Sequence, residues 1–89
     1  MVDFQYKDSY GVKDLEEIVR ILRAPGGCPW DAEQTHQSIR RNFLEEAYEA
    51  VEAIDEGSPE HLEEELGDVL LQVVMHARME QEAGRFDLD

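Results

Sequence analysis

Residues 45–49 read Glu45-Glu46-Ala47-Tyr48-Glu49, residues 65–68 read Glu65-Leu66-Gly67-Asp68, and Gly57 stands midway between the two stretches. Glu49 and Glu65 each lie eight residues from that glycine, Glu46 and Asp68 each eleven. If the flanking segments are antiparallel helices rising about 1.5 Å per residue, Glu49 meets Glu65 roughly 12 Å from the turn and Glu46 meets Asp68 roughly 16 Å from it. Four carboxylates then converge between two helices. Spacing within each helix agrees, because residues three or four apart share a face: Glu46 pairs with Glu49, Glu65 with Asp68, and Glu45 stands beside Glu49.

Converging carboxylates repel one another strongly at low dielectric, and a folded chain keeps them ionised only when a cation neutralises them. Oxygen-only ligands suit hard divalent ions, so the expected ion is Mg2+, with Mn2+ as a substitute. Mg2+ is typically held by a few carboxylates and shares its remaining positions with water and substrate phosphates.

At 89 residues the chain is one small domain, near the size at which a lone core is marginal and oligomerisation supplies the rest. Its 22 acidic and 8 basic residues give a net charge of -14, which argues against binding a nucleic-acid polymer or an anionic membrane. A phosphate ligand must therefore arrive with metal. The single cysteine, Cys28, excludes an internal disulfide, and no apolar run approaches the length of a membrane span. Met1 to Asp8 has neither the basic start nor the apolar stretch of a signal peptide, so the expected location is the cytoplasm.

The fold class expected is all-α. Leu15, Ile18, Val19 and Leu22 give helical periodicity to a first helix from Lys13 to Ala24, ended by Pro25-Gly26-Gly27. A loop from Cys28 to Gln34 follows, then a second helix capped by Thr35 or Ser38 and reaching Asp55. Ser58 as N-cap and Pro59 at the first helical position open a third helix to about Ala83, with Gly84 as its C-cap. The architecture is an antiparallel helical hairpin plus an N-terminal helix.

On the second helix Ile39, Phe43, Ala47, Ala50, Val51 and Ile54 form an apolar stripe roughly opposite Glu45 and Glu52, the expected core face. The third helix is apolar almost all round, save a polar line of Glu65, Asp68, Gln72 and His76. Such a helix must be covered on nearly all sides. Leu66, Leu70 and Val73 are expected against the second helix, leaving Leu71, Val74 and Met75 for a homodimer or homotetramer with a four-helix-bundle-like core.

Single acidic pairs on helices are usually solvated faces, and Glu63 and Glu64 read that way; the mirror placement sets the other four apart. A lone histidine such as His76 is more often hydrogen-bonded in a core or interface than a ligand. Cys28 reads as a small packed residue. Trp30, in the loop, either caps the core or stacks on a base. A carboxylate-bridged di-iron bundle would need Glu-x-x-His on two helices, which neither the Glu45 to Glu49 stretch nor Glu65 to Asp68 supplies, and the zincin motif His-Glu-x-x-His is absent. Metal-assisted phosphate chemistry is left as the leading reaction class.

Gly26-Gly27-Cys28-Pro29-Trp30-Asp31, Gln34-Thr35-His36, Glu45-Glu46-Ala47-Tyr48-Glu49 and Glu65-Leu66-Gly67-Asp68 together resemble the MazG family of nucleoside triphosphate pyrophosphohydrolases. The resemblance runs from about Leu15 to Asp89. The acidic motif is shared with all-α dUTPases, dCTPases and phosphoribosyl-ATP pyrophosphohydrolases, whereas the Gly-Gly-Cys-Pro-Trp-Asp segment points to MazG proper.

The resemblance implies an all-α NTP pyrophosphatase that cleaves between the α and β phosphates, giving a nucleoside monophosphate and pyrophosphate. It implies Glu46, Glu49, Glu65 and Asp68 as Mg2+ ligands. Glu45 would orient the attacking water or support the ligands, so that Glu45, Glu46 and Glu49 form the catalytic set. Trp30, Arg41 and Asn42 are the expected substrate contacts. Family members usually continue past a segment like Gly84 to Leu88 into a basic helix, so residues 1–89 are expected to be a single domain without that helix. Arg40, Arg41 and Arg78 would then be the nearest cations for phosphate. The rival expectation is a non-catalytic oligomerisation or regulatory module that keeps the hairpin.

Overall fold

The computed structural model describes residues 11–89; the signal-peptide reading of the first eight residues lies outside them. The fold is all-α: α1 spans Val12–Arg23, α2 Pro29–Glu33, α3 His36–Glu56 and α4 Pro59–Glu82. No described residue is in a strand, and no helix is long and apolar enough to cross a membrane.

Local chemistry sets the hairpin. Thr35 is the N-cap of α3, its hydroxyl accepting the Ser38 N–H at 3.1 Å, while the Ser38 hydroxyl accepts the Thr35 N–H at 2.8 Å. The two candidate caps thus act as one reciprocal box. Gly57 ends α3 in the left-handed region at φ 72°, where a Cβ would be strained. Ser58 then accepts the His61 N–H at 3.3 Å and Pro59 opens α4.

The segment from Cys28 to Gln34, expected as a loop, contains the one-turn helix α2. Five residues are too few for a periodic signal. Gly26 turns the chain at φ 85°, and Gly27 lies so close to the end of α1 that a Cβ there would stand 2.2 Å from the Ile21 carbonyl oxygen. The Cys28 N–H bonds the Leu22 carbonyl at 2.8 Å, and Pro29 occupies the first turn of α2. Arg23 locks the corner. Its guanidinium donates to the carbonyls of Asp31 at 2.7 Å and Gln34 at 3.0 Å and forks onto Glu82 of α4 at 3.0 Å twice, with the side chain only 8% exposed.

The core is Val19 of α1, Ile39 of α3, and Val74, Met75 and Met79 of α4, with Leu15 and Leu88 against it. This corrects the expected faces. Val74 and Met75, assigned to a subunit interface, are covered by α1 within the chain, while Leu66, Leu70 and Val73, expected against α3, are exposed. On α3, Ile39 and Ala50 are buried as expected, Ala53 is buried as well, and Val51 and Ile54 face outward. Glu65 is buried on α4 and meets Glu46 and Glu49 of α3, and the buried residues of α3 in that half are Ala50 and Ala53. A helix that turns Glu65 inward carries Leu66, Leu70 and Val73 roughly 80–140° round from it, at about 100° per residue, and so off the contact.

Candidate functional site

The hairpin brings together three of the four carboxylates matched about Gly57. Glu46 and Glu49 of α3 and Glu65 of α4 each present an oxygen within 4.8 Å of the other two. Asp68 is half-buried one turn after Glu65, near enough that its charge acts on both Glu46 and Glu65. Burial, followed by the charges of Glu49, Asp68 and Glu65, pushes the Glu46 carboxyl above the usual carboxylate range. Burial and then Glu49 raise Glu65 likewise, partly opposed by His61, whose Nε2 lies 3.3 Å away.

Glu46 Oε2 and Glu65 Oε2 are buried and have no hydrogen-bond partner. Buried carboxylate oxygens are ordinarily satisfied, and leaving one unpaired costs more than an ordinary surface substitution. Such a set of hard, under-satisfied oxygen donors fits a divalent cation of the Mg2+ class. These are the residues that could hold it.

The other sequence candidates are spread out. Glu45 is exposed and lies 3.7 Å from Arg41, one turn earlier on α3. The Arg41 side chain is itself 88% exposed, and Asn42 is exposed too. Trp30 is 60% exposed on α2, so it does not cap the core. Because α2 packs on α1 rather than on the hairpin, Trp30 is not gathered with the carboxylates within one chain. Cys28 is a half-buried free thiol at the N-cap of α2.

A second polar cluster was not singled out from the sequence. His36, at the start of α3, and His76, on α4, approach Nδ1 to Nδ1 at 2.6 Å, and His36 Nε2 lies 2.6 Å from Glu80 Oε1. The imidazole planes are within 3° of parallel with centroids 4.9 Å apart. Parallel rings in a stack cannot bring nitrogens to 2.6 Å, so the rings meet edge to edge in nearly one plane. Phe43 packs over His76 at 5.4 Å, and His76 Nε2 is buried without a partner, as is Gln72 Oε1 one turn earlier. The sequence signal for His76 was its place on the polar line of α4. His36 stood out only as part of Gln34-Thr35-His36, and its pairing with His76 was hidden because that partner lies forty residues away.

An all-α hairpin whose inner face gathers carboxylates is the class of protein that fold and site define. Residues 34–89, more than half of the chain, match the family model for the MazG nucleotide pyrophosphohydrolase domain, and the chain belongs to that family. It is 49% identical over 77 residues to the nucleoside triphosphate pyrophosphohydrolase/pyrophosphatase MazG of Thermotoga maritima, covering 86% of this chain and 30% of that protein. To the nucleoside triphosphate pyrophosphohydrolase of Escherichia coli it is 51% identical over 76 residues, 84% of this chain and 29% of that one. To the uncharacterized protein YabN of Bacillus subtilis it is 56% identical over 75 residues, 84% of this chain and 15% of that one. The chain thus spans less than a third of the length of these relatives.

Proposed function

We propose that this domain hydrolyses nucleoside triphosphates to the monophosphate and pyrophosphate, in the cytoplasm, with Mg2+ or Mn2+ held by Glu46, Glu49, Glu65 and Asp68. The observation that carries this reading is the convergence of Glu46, Glu49 and Glu65 within 4.8 Å, two of them with a buried unpaired oxygen. The relatives named nucleoside triphosphate pyrophosphohydrolase support the substrate class. When bound, the ion offsets triphosphate charge and makes water a better nucleophile at neutral pH.

The chain's own residues divide the remaining work. Glu45, exposed at the rim beside Glu49, orients the attacking water. Arg41 and Asn42, about one turn before the acidic motif, contact the nucleotide, and Trp30, which α2 holds away from the carboxylates of its own chain, does so from a second copy. With a net charge of -14, a nucleic-acid polymer or an anionic membrane is a poor partner.

Self-association belongs to the same proposal. Leu44, Tyr48 and Val51 form an exposed stripe on α3 at helical spacing, and Leu66, Leu70 and Val73 form another on α4. Contiguous apolar surface of this kind marks an interaction site, and a homodimer or homotetramer would cover it. The same stripes are what favours the second reading, an oligomerisation module without catalysis. Chromatographic separation of nucleotide products, with pyrophosphate measured in parallel and with Mg2+ present or chelated, decides between them. Metal-dependent monophosphate and pyrophosphate support hydrolysis; an intact triphosphate supports the module.

A further inference from the structure

Of the four carboxylates matched about Gly57, only Glu65 has a basic side chain against it among the described residues. His61, one turn earlier on α4, places Nε2 3.3 Å from Glu65 Oε1. Its other ring nitrogen, Nδ1, lies 2.9 Å from Oε2 of Glu56, the last residue of α3. The imidazole thus spans from the end of one helix to the buried acid of the next.

The turn builds this bracket. Gly57 reverses the chain in the left-handed region, and the Ser58 hydroxyl accepts the His61 N–H at 3.3 Å, which fixes His61 in the first turn of α4. Residues four apart on a helix share a face, so His61 stands over Glu65. Its side chain is one-third exposed and that of Glu65 nearly buried, so the contact runs from the surface inward to the carboxylate cluster.

We infer that His61 is a positioning residue for the cation site, holding Glu65 by Oε1 so that Oε2 stays free for the ion. This inference rests on the carboxylate reading of the proposed function and extends it to a residue outside both acidic motifs.

The two oxygens of Glu65 are unequal. Oε1 is engaged by His61, while Oε2 is buried with no partner. The last torsion of a glutamate has broad wells, so a carboxylate held at neither oxygen turns easily. Engaging one oxygen removes that freedom and leaves the other as the donor. Groups that hold a metal ligand from outside in this way typically contribute roughly 10–100-fold to metal affinity.

Charge acts in the opposite sense, because an imidazolium beside the site repels a divalent ion. Glu56 decides between the two effects. Its carboxylate sits closer to the ring than Glu65 does and offsets the charge there, which leaves orientation as the larger effect. The contact between Nε2 and Oε1 holds whichever of the two atoms carries the proton between them.

Titration with Mn2+ in the absence of nucleotide, followed by the electron paramagnetic resonance signal of the free ion, tests the inference on proteins shown to be folded by circular dichroism. His61→Ala should weaken Mn2+ binding about tenfold or more, whereas His61→Gln, whose amide still donates to Glu65, should stay within about threefold of the wild type. If His61→Ala does not fold, His61→Asn, too short to reach Glu65, takes its place with the same expectation. Unchanged binding by the shortened variant overturns the inference. So does tighter binding, which would make the ring only a competing charge, and so does equal weakening by His61→Gln. Wild-type protein that leaves all the Mn2+ free refutes the carboxylate site itself, whereas binding lost in Glu65→Gln but kept in His61→Ala refutes the role of His61 alone.

Discussion

Glu46 on α3 and Glu65 on α4 meet across the hairpin with one carboxylate oxygen apiece buried and unpaired. An apolar pair at these positions would pack without that cost, so the arrangement sacrifices stability of the metal-free chain at one level of the bundle. The cluster is therefore where ligand binding and folding are most tightly linked.

Mg2+ or Mn2+ is expected to stabilise the fold measurably. At a hundred times its dissociation constant, a ligand that binds only the native state adds about 2.7 kcal/mol. For a domain of this size that raises Tm by on the order of 10 °C. Scanning calorimetry with metal and with chelator checks it. Glu65→Gln should raise the stability of the chelated protein and abolish the metal response.

Stability against pH should follow two opposed groups. Glu80 is held down to about 2 in the folded chain from an ordinary 4.5, so its contribution is full above 4.5 and disappears as pH falls towards 2. Glu46 and Glu65 are raised in the folded chain. The metal-free protein therefore gains stability as acidification from neutrality protonates them, and loses it below about 4.5. Denaturant midpoints across this range should show a mildly acidic maximum that saturating Mg2+ removes and a low-pH fall that Glu80→Gln lessens, the remainder coming from Glu82 and Glu17, which arginines also hold down.

Arg23→Ala should destabilise the fold by about 2–3 kcal/mol. It strips the donors from two backbone carbonyls and from Glu82 at a nearly buried position. Arg23→Lys should recover only part of this, because one ammonium cannot reproduce the fork. Urea titration of the three proteins measures the difference.

At the α1–α2 corner, Gly27→Ala should cost more than Gly26→Ala. The first forces a Cβ against carbonyl oxygens at 2.2 and 2.6 Å, while the second meets open space and bears only a left-handed backbone at φ 85°. The latter costs about 1 kcal/mol. Thermal midpoints of both variants check the order.

Much of this architecture was legible in the residues. The hairpin could be read because Gly57, Ser58 and Pro59 are strong local signals and the carboxylates are symmetric about them. Core and exposed faces were harder. Helical periodicity shows that Leu66, Leu70 and Val73 share a face with each other, but not which neighbour covers it, and α1 covers Val74 and Met75 instead. The one-turn α2 and the contact between His36 and His76 were out of reach, the first for want of length and the second because its partners are distant in sequence.

The most direct test of the central claim is pyrophosphate release from nucleoside triphosphates at saturating Mg2+ by the wild-type chain and by Glu49→Gln, both shown to be helical by circular dichroism. Metal-dependent release of equal amounts of monophosphate and pyrophosphate is predicted for the wild type, falling by a factor on the order of a hundred or more in the variant. Undiminished release by Glu49→Gln, or none from the wild type, would contradict it.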